Sequence, residues 1–321
     1  MKKLIAIVLC LMTVFALVAC SQPAATSSAA APAAGSASQT YAIITKSAGN
    51  PYNEREASGF EEAIKAAGYT AIIKHPAEIT AEAQITLINE LVAQGVSGIA
   101  VAANDKDALE TALKAAMAAG IKVVSLDSSV NPASRLTHIN QAGVQQVAQA
   151  LADAVLDLTK GEGDWAILSA TSTASNQNAW IEAQKEIMKG DKYSKLNLVE
   201  VAYGDDEYQK SVDQTQALLQ NYPNLKVICA PTTVGIAAAS KVIVACPYMF
   251  LWNPIDVGRV AAYALVEMVN GKLTGALGES FTAANGTTYT VTAAGDGGTE
   301  IIIGPPFAFT ADNIAEWKTV Y

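Results

Sequence analysis

Cysteine, histidine and positive charge are all scarce in this 321-residue chain, which has four cysteines and two histidines. Cys10 and Cys20 fall within the first twenty residues, so only Cys229 and Cys246 belong to the body of the chain. That excludes a disulfide framework and leaves no metal-ligand spacing, so neither a metal nor a cofactor is expected. The two thiols form one bridge, if the chain is exported, or pack as small apolar side chains. His75, followed by Pro76, reads as a turn, and neither it nor His138 has a catalytic partner nearby in sequence. No phosphate-binding glycine loop and no nucleophile elbow is present. Lys and Arg number 21 against 30 Asp and Glu, a formal net charge of −9, which argues against nucleic acid and against a basic face for anionic lipid.

What is present begins with a leader. Lys2 and Lys3 precede an apolar run over residues 4–18, and Leu17-Val18-Ala19-Cys20 closes it. The run is shorter than the roughly 20 apolar residues of a bilayer span. Residues 1–19 therefore read as a lipoprotein signal peptide and Cys20 as the lipidated residue, with the mature chain outside the cytoplasmic membrane. Residues 20–40 are almost wholly Ser, Ala, Thr, Gln, Pro and Gly, a composition that cannot offset its own ordering entropy. Such a tether of about 20 residues spans about 25 Å as a coil. Acyl chains on Cys20 would hold the protein to a membrane.

From Tyr41 onward short apolar runs alternate with amphipathic segments. Strands are expected at 41–44, 69–74, 98–102 and 122–126, and helices at 54–67, 81–94 and 106–119, with Gly68, Gly95 and Gly120 as stops. The pattern restarts, with helices at 144–159, 178–189 and 209–221 and strands at 164–169, 196–203 and 226–230. Two successive α/β units with parallel sheets follow. Ligands of such sheets sit beyond the carboxyl ends of the strands. There the chain places Lys46 and Asn50, Asn104 and Asp105, Asp127 and Ser128 in the first unit, and Asn176, Gln177, Asp205, Asp206, Thr232 and Thr233 in the second.

Asn50-Pro51-Tyr52, Ala93-Gln94-Gly95-Val96-Ser97-Gly98-Ile99, Val124-Ser125-Leu126-Asp127-Ser128, Asn176-Gln177-Asn178-Ala179-Trp180, Ala230-Pro231-Thr232-Thr233 and Leu251-Trp252-Asn253-Pro254 together resemble the sugar-binding proteins of ABC importers. The match is to the branch that includes rhamnose-binding and autoinducer-2-binding proteins. The resemblance implies a type I periplasmic binding protein fold: α/β, two doubly wound parallel-sheet lobes joined by a multi-crossing hinge. It implies a first lobe of 41–137 plus 254–292 and a second of 138–253 plus 293–321, with His138 near the first crossing. Ligand contacts are implied at Lys46, Asp127, Asn176, Gln177, Pro231 and Thr233. Tyr52, Trp180 or Trp252 would cover a sugar ring face, and Asn253 joins Tyr52 in the candidate set. An Asn at 176, where autoinducer-2 binders of this branch carry Asp, favours a deoxyhexose such as rhamnose as ligand and an importer permease as partner. Autoinducer-2 uptake or sensing is the alternative.

Relatives of this kind carry a further strand and helix where this chain has only Ala245, Cys246 and Pro247 between an expected helix (234–244) and the apolar run 248–252. Loss of that unit, on the order of 30 residues, leaves a second lobe shortened near 244–247. Either its sheet closes up by one place or two strands keep unpaired edges, and a binding-impaired homologue is one expected outcome. Other functional classes remain open: a sugar-sensing accessory would present the same surface, whereas catalysis is disfavoured. Asp205 and Asp206 are adjacent at a strand end and point apart, unlike a convergent acid–base pair.

Overall fold

The computed structural model describes residues 39–309 and 313–317. The leader, Cys20 and most of the tether lie outside the described residues. Thr40, expected at the tether's end, is already the first residue of a strand, paired with Thr70. None of the described helices is long and apolar enough to cross a membrane.

The first unit runs β1 (Thr40–Ile44), α1 (Pro51–Ala66), β2 (Thr70–Lys74), α2 (Ala81–Gln94), β3 (Gly98–Val101), α3 (Glu110–Ala118), β4 (Lys122–Leu126) and β5 (His138–Asn140). Asn50 starts α1 by accepting the Tyr52 amide, and Pro51 sits where its missing N–H costs nothing. Helix α3 begins later than its periodicity predicts, because the Asp105 carboxylate holds the Asp107 and Ala108 amides in a turn.

The second unit runs α4 (Val144–Thr159), β6 (Gly163–Ser169), α5 (Ser175–Ile187), β7 (Leu196–Tyr203), α6 (Tyr208–Asn221), β8 (Leu225–Cys229), α7 (Thr233–Ile243) and β9 (Met249–Leu251). The chain then returns as α8 (Pro254–Val269), β10 (Ser280–Thr282), β11 (Thr288–Thr290), β12 (Thr292–Ala293), β13 (Thr299–Ile302) and β14 (Phe307–Phe309). Asn285-Gly286, a dipeptide that favours tight hairpin turns, joins β10 to β11.

The larger sheet has the order β12-β13-β5-β4-β3-β1-β2, parallel except for β12. The two lobe boundaries move from where they were expected. Residues 138–140 and 292–302, expected largely in the second lobe, complete the first sheet. Ile139 and Ile301 are fully buried in the same core as Tyr41, Phe60 and Leu265, and burial of those side chains outweighs proximity in sequence. The chain changes lobes three times, at 141–143, 252–253 and 303–306, which makes the multi-crossing hinge.

Helix α8 rejoins the first lobe by lying almost in contact with α1. A Cβ on Gly59 would meet the Ile255 carbonyl oxygen at 2.0 Å, and one on Gly258 would meet that of Glu56 at 1.9 Å. Both glycines therefore mark backbone contact, not helix weakness.

Among the described residues the second lobe holds a sheet of three strands, β7-β6-β8, while β9 pairs with β14 in a separate antiparallel ribbon. Strands β8 and β9 are not hydrogen-bonded to each other, so of the two expected outcomes the open one holds. The segment 244–248 between α7 and β9 contains no strand and is exposed, Val244 to 86%. Strands β1, β3 and β4 are almost wholly buried, whereas β8 and β9 are mostly half-buried. Cys229 and Cys246 are both free, the first buried and the second exposed.

Gly258→Ala should force α1 and α8 apart and cost about 1–3 kcal/mol, lowering the melting temperature by on the order of 5 °C. A scanning calorimetry trace unchanged by this substitution would contradict the close-contact account.

Candidate functional site

Lys46, Asn104 and Asp127 follow the carboxyl ends of β1, β3 and β4; the strand order of the first sheet reverses between β1 and β3, with β4 next to β3. The Asn104 amide donates to the Lys46 carbonyl at 2.9 Å and fixes this floor. Asp127 has a left-handed backbone, φ 55°, a conformation that Asp tolerates better than most residues. Its Oδ1 accepts from Gln141 at 3.1 Å and from Asn176 at 2.9 Å. Its Oδ2 has only a 3.4 Å contact with the Ser128 hydroxyl and a 3.8 Å ion pair with Lys46.

Lys46 and Asp127 are both buried, and the ammonium makes no hydrogen bond among the described residues. Glu56 of α1 lies fully buried behind them. Burial, and next the Asp127 charge, pushes its carboxyl well above the usual carboxylate range, with Lys46 opposing. Asp127 is raised as well, by burial, with Lys46 opposing and Asp206 reinforcing the shift.

The second lobe closes over this floor. Asn176, in the first turn of α5, bonds Asp127 across the cleft, Thr173 donates to the Asn104 carbonyl at 3.0 Å, and Ser175 donates to the Ser129 carbonyl at 3.1 Å. Between the lobes lies a cavity of about 140 Å³. Seven of the eight ligand contacts expected from sequence line it: Lys46, Tyr52, Asp127, Asn176, Gln177, Pro231 and Thr233.

Their roles differ. Gln177 spends its Oε1 on the Ser169 hydroxyl and the Ala170 amide, both at 2.8 Å, and so fixes the end of β6. The Tyr52 hydroxyl accepts from the Trp252 indole at 2.6 Å, next to a crossing. Trp180 and Trp252 meet with centroids 5.4 Å apart and both border the cavity.

The expectation for Asn253 is corrected. It does not line the cavity; it caps α8, accepting the Ile255 amide at 3.0 Å and donating to Asp256 at 2.9 Å. An amide before Pro254 at a helix start satisfies an orphan N–H there, and that use points it away from the cleft. Asp205 and Asp206 diverge as expected: the first pairs with Lys210, the second with Thr232 at the cavity wall.

Asn53, Glu56 and Gln141 were missed from sequence. Asn53 borders the cavity, donates to Ser47 at 3.0 Å and keeps a buried Oδ1 with no partner among the described residues. The available signal was the pair of polar residues at 53 and 56 on the face of α1 that also carries Phe60 and Ala63. A set of buried carboxyls, amides and one ammonium around a small cavity can hold several hydroxyl groups at once, each as donor and acceptor.

Residues 41–245 match the family model described as "Periplasmic binding protein domain", and the chain belongs to that family. A solved ABC transporter solute-binding protein from Clostridium phytofermentas with bound L-rhamnose is 53% identical, covering 89% of this chain and 99% of that one, with a TM-score of 0.87. LsrB from Clostridium saccharobutylicum, solved with AI-2, is 20% identical over 87% of this chain and 99% of its own, TM-score 0.80, and shares the fold. Among curated relatives, the D-apiose import binding protein of Actinobacillus succinogenes is 25% identical over 198 residues, 61% of this chain. The match spans 63% of that relative's length.

The raised pKa of Glu56 has a definite sign. A carboxyl that holds its proton more tightly when folded contributes stability that is complete below the unfolded value and fades as pH rises through the folded one. Glu56→Gln should therefore leave the melting temperature near that of the native chain at pH 5 and raise it relative to the native chain at pH 8. An equal loss at both pH values would show that Glu56 is ionised in the fold.

Proposed function

We propose that this chain is an extracytoplasmic, lipid-anchored solute-binding protein that captures a small rhamnose-like sugar between its lobes and delivers it to the permease of an ABC importer. The observation that carries the reading is the Asp127–Asn176 bond across a cavity floored by buried Lys46, supported by the 53% identity to a protein solved with L-rhamnose. Sugar is bound and returned unchanged.

In this reading the ammonium of Lys46 donates to one sugar hydroxyl, Asp127 Oδ2 accepts from another, and Asn53 Oδ1 accepts from a third. Asn176 and Thr233 supply contacts from the other lobe, so the sugar favours the state in which the lobes meet. Cys20, through its lipid, keeps the binder beside the permease.

The open edges of β8 and β9 favour a second statement about the same function: affinity for free sugar is reduced relative to an intact second lobe. Strands β8 and β9 are mostly half-buried, and each backbone group at their open edges that is both buried and without a partner would cost about 1–3 kcal/mol of a total stability of about 5–15 kcal/mol.

Titration calorimetry against L-rhamnose, other hexoses, pentoses and autoinducer-2 tests the reading. L-rhamnose should give weak, saturable binding, and Asp127→Ala should weaken it at least a hundredfold, since it leaves the Lys46 charge buried and unpaired. Heat from none of the sugars would overturn the assignment.

A further inference from the structure

The polar cluster makes up only part of the lining of its cavity. The same cavity is also bordered by Leu151 and Val155 of α4, Val227 and Cys229 of β8, Ile236 of α7 and Phe250 of β9, which form its second-lobe arm. Every one of these is apolar in character. The Cys229 thiol is pushed up to about 12 by burial and is neutral.

The shape of this arm follows from the open sheet. Among the described residues strand β8 is paired only through its β6 side and β9 only through its β14 side, and both border the arm. Helices α4 and α7 contribute its remaining walls. In the first lobe the corresponding position beside the third strand is filled by β4, whose side chains pack as sealed core. In the second lobe no strand among the described residues fills it, and the apolar space and the polar site share one cavity.

We propose that the arm is a subsite for an apolar aglycone, and that the chain's preferred ligand is a deoxyhexoside with an alkyl or aryl group on the anomeric oxygen, not the free sugar. The inference rests on the sugar-binding reading above. The hydroxyls meet Lys46, Asp127 and Asn176, while the aglycone enters between β8 and β9 and takes apolar surface out of water on both sides. Each methylene buried in this way multiplies affinity by about fourfold. Occupation of the arm also restores to the second lobe part of the packing that the open sheet forgoes.

The test compares L-rhamnose with methyl, propyl and hexyl α-L-rhamnosides on the full chain. Calorimetry reads affinity, and hydrogen exchange of peptides covering 225–230 and 248–252 reads where the tail lies. The expected result is affinity that rises along the series, with the propyl glycoside at least tenfold tighter than L-rhamnose. Exchange at both edges should slow with the longer glycosides and not with the free sugar. Equal or falling affinity along the series, with L-rhamnose still bound, would overturn the aglycone subsite and leave the sugar reading standing. Tighter binding without protection at either edge would also overturn it, because the tail would then lie elsewhere. Binding by no member, L-rhamnose included, would overturn both.

Discussion

Two opposite charges buried side by side, Lys46 and Asp127, are the constraint around which the rest of this molecule is organised. Taking both out of water costs several kcal/mol per ion, and a 3.8 Å separation without a direct hydrogen bond recovers only part of that. A pair of well-packed apolar side chains would stabilise the first lobe better. The residues that surround the pair turn this cost to use: Asn176 approaches Asp127 from the opposite lobe and Gln141 from the crossing between them. The polar cluster thus touches both lobes and the hinge.

That arrangement explains why the two lobes are built so differently. The first is a sealed seven-stranded sheet whose strand ends form the floor, locked by α8 against α1 through two glycines. A rigid floor holds the charges in position. The second lobe supplies Asn176, Pro231 and Thr233 on a three-stranded sheet that stops short, with β9 held apart by β14. Its central strand β6 is largely buried, its edge strands β7 and β8 are mostly half-buried, and the apolar lining beside β8 belongs to the same cavity as the polar site.

Much of this was legible in the residues. The alternation of apolar runs and amphipathic segments marks β1 through α7, and the polar residues at the strand ends mark the floor and rim. A strand over 300–303 was legible and is β13, though its sheet was not; short β5 was not legible at all, because a three-residue strand flanked by turns carries too little periodicity. Their membership of the first sheet is decided by Ile139 and Ile301 entering its core. Asn253 misled because an amide before a proline reads equally as a ligand contact and as a cap. Asn53 and Glu56 were hidden for a related reason: a polar residue in an amphipathic helix is ordinarily a solvated one, and only the fold shows that this face of α1 looks into the site. The interval at 244–248 was legible as an interruption, but which of its two consequences follows is settled by tertiary packing.

The central claim is that a sugar held by the Asp127 cluster draws the lobes together. Small-angle X-ray scattering of the protein with and without saturating ligand tests it most directly. The account predicts a smaller radius of gyration with ligand for the native chain and no change for Asp127→Ala. Equal contraction in both would contradict it.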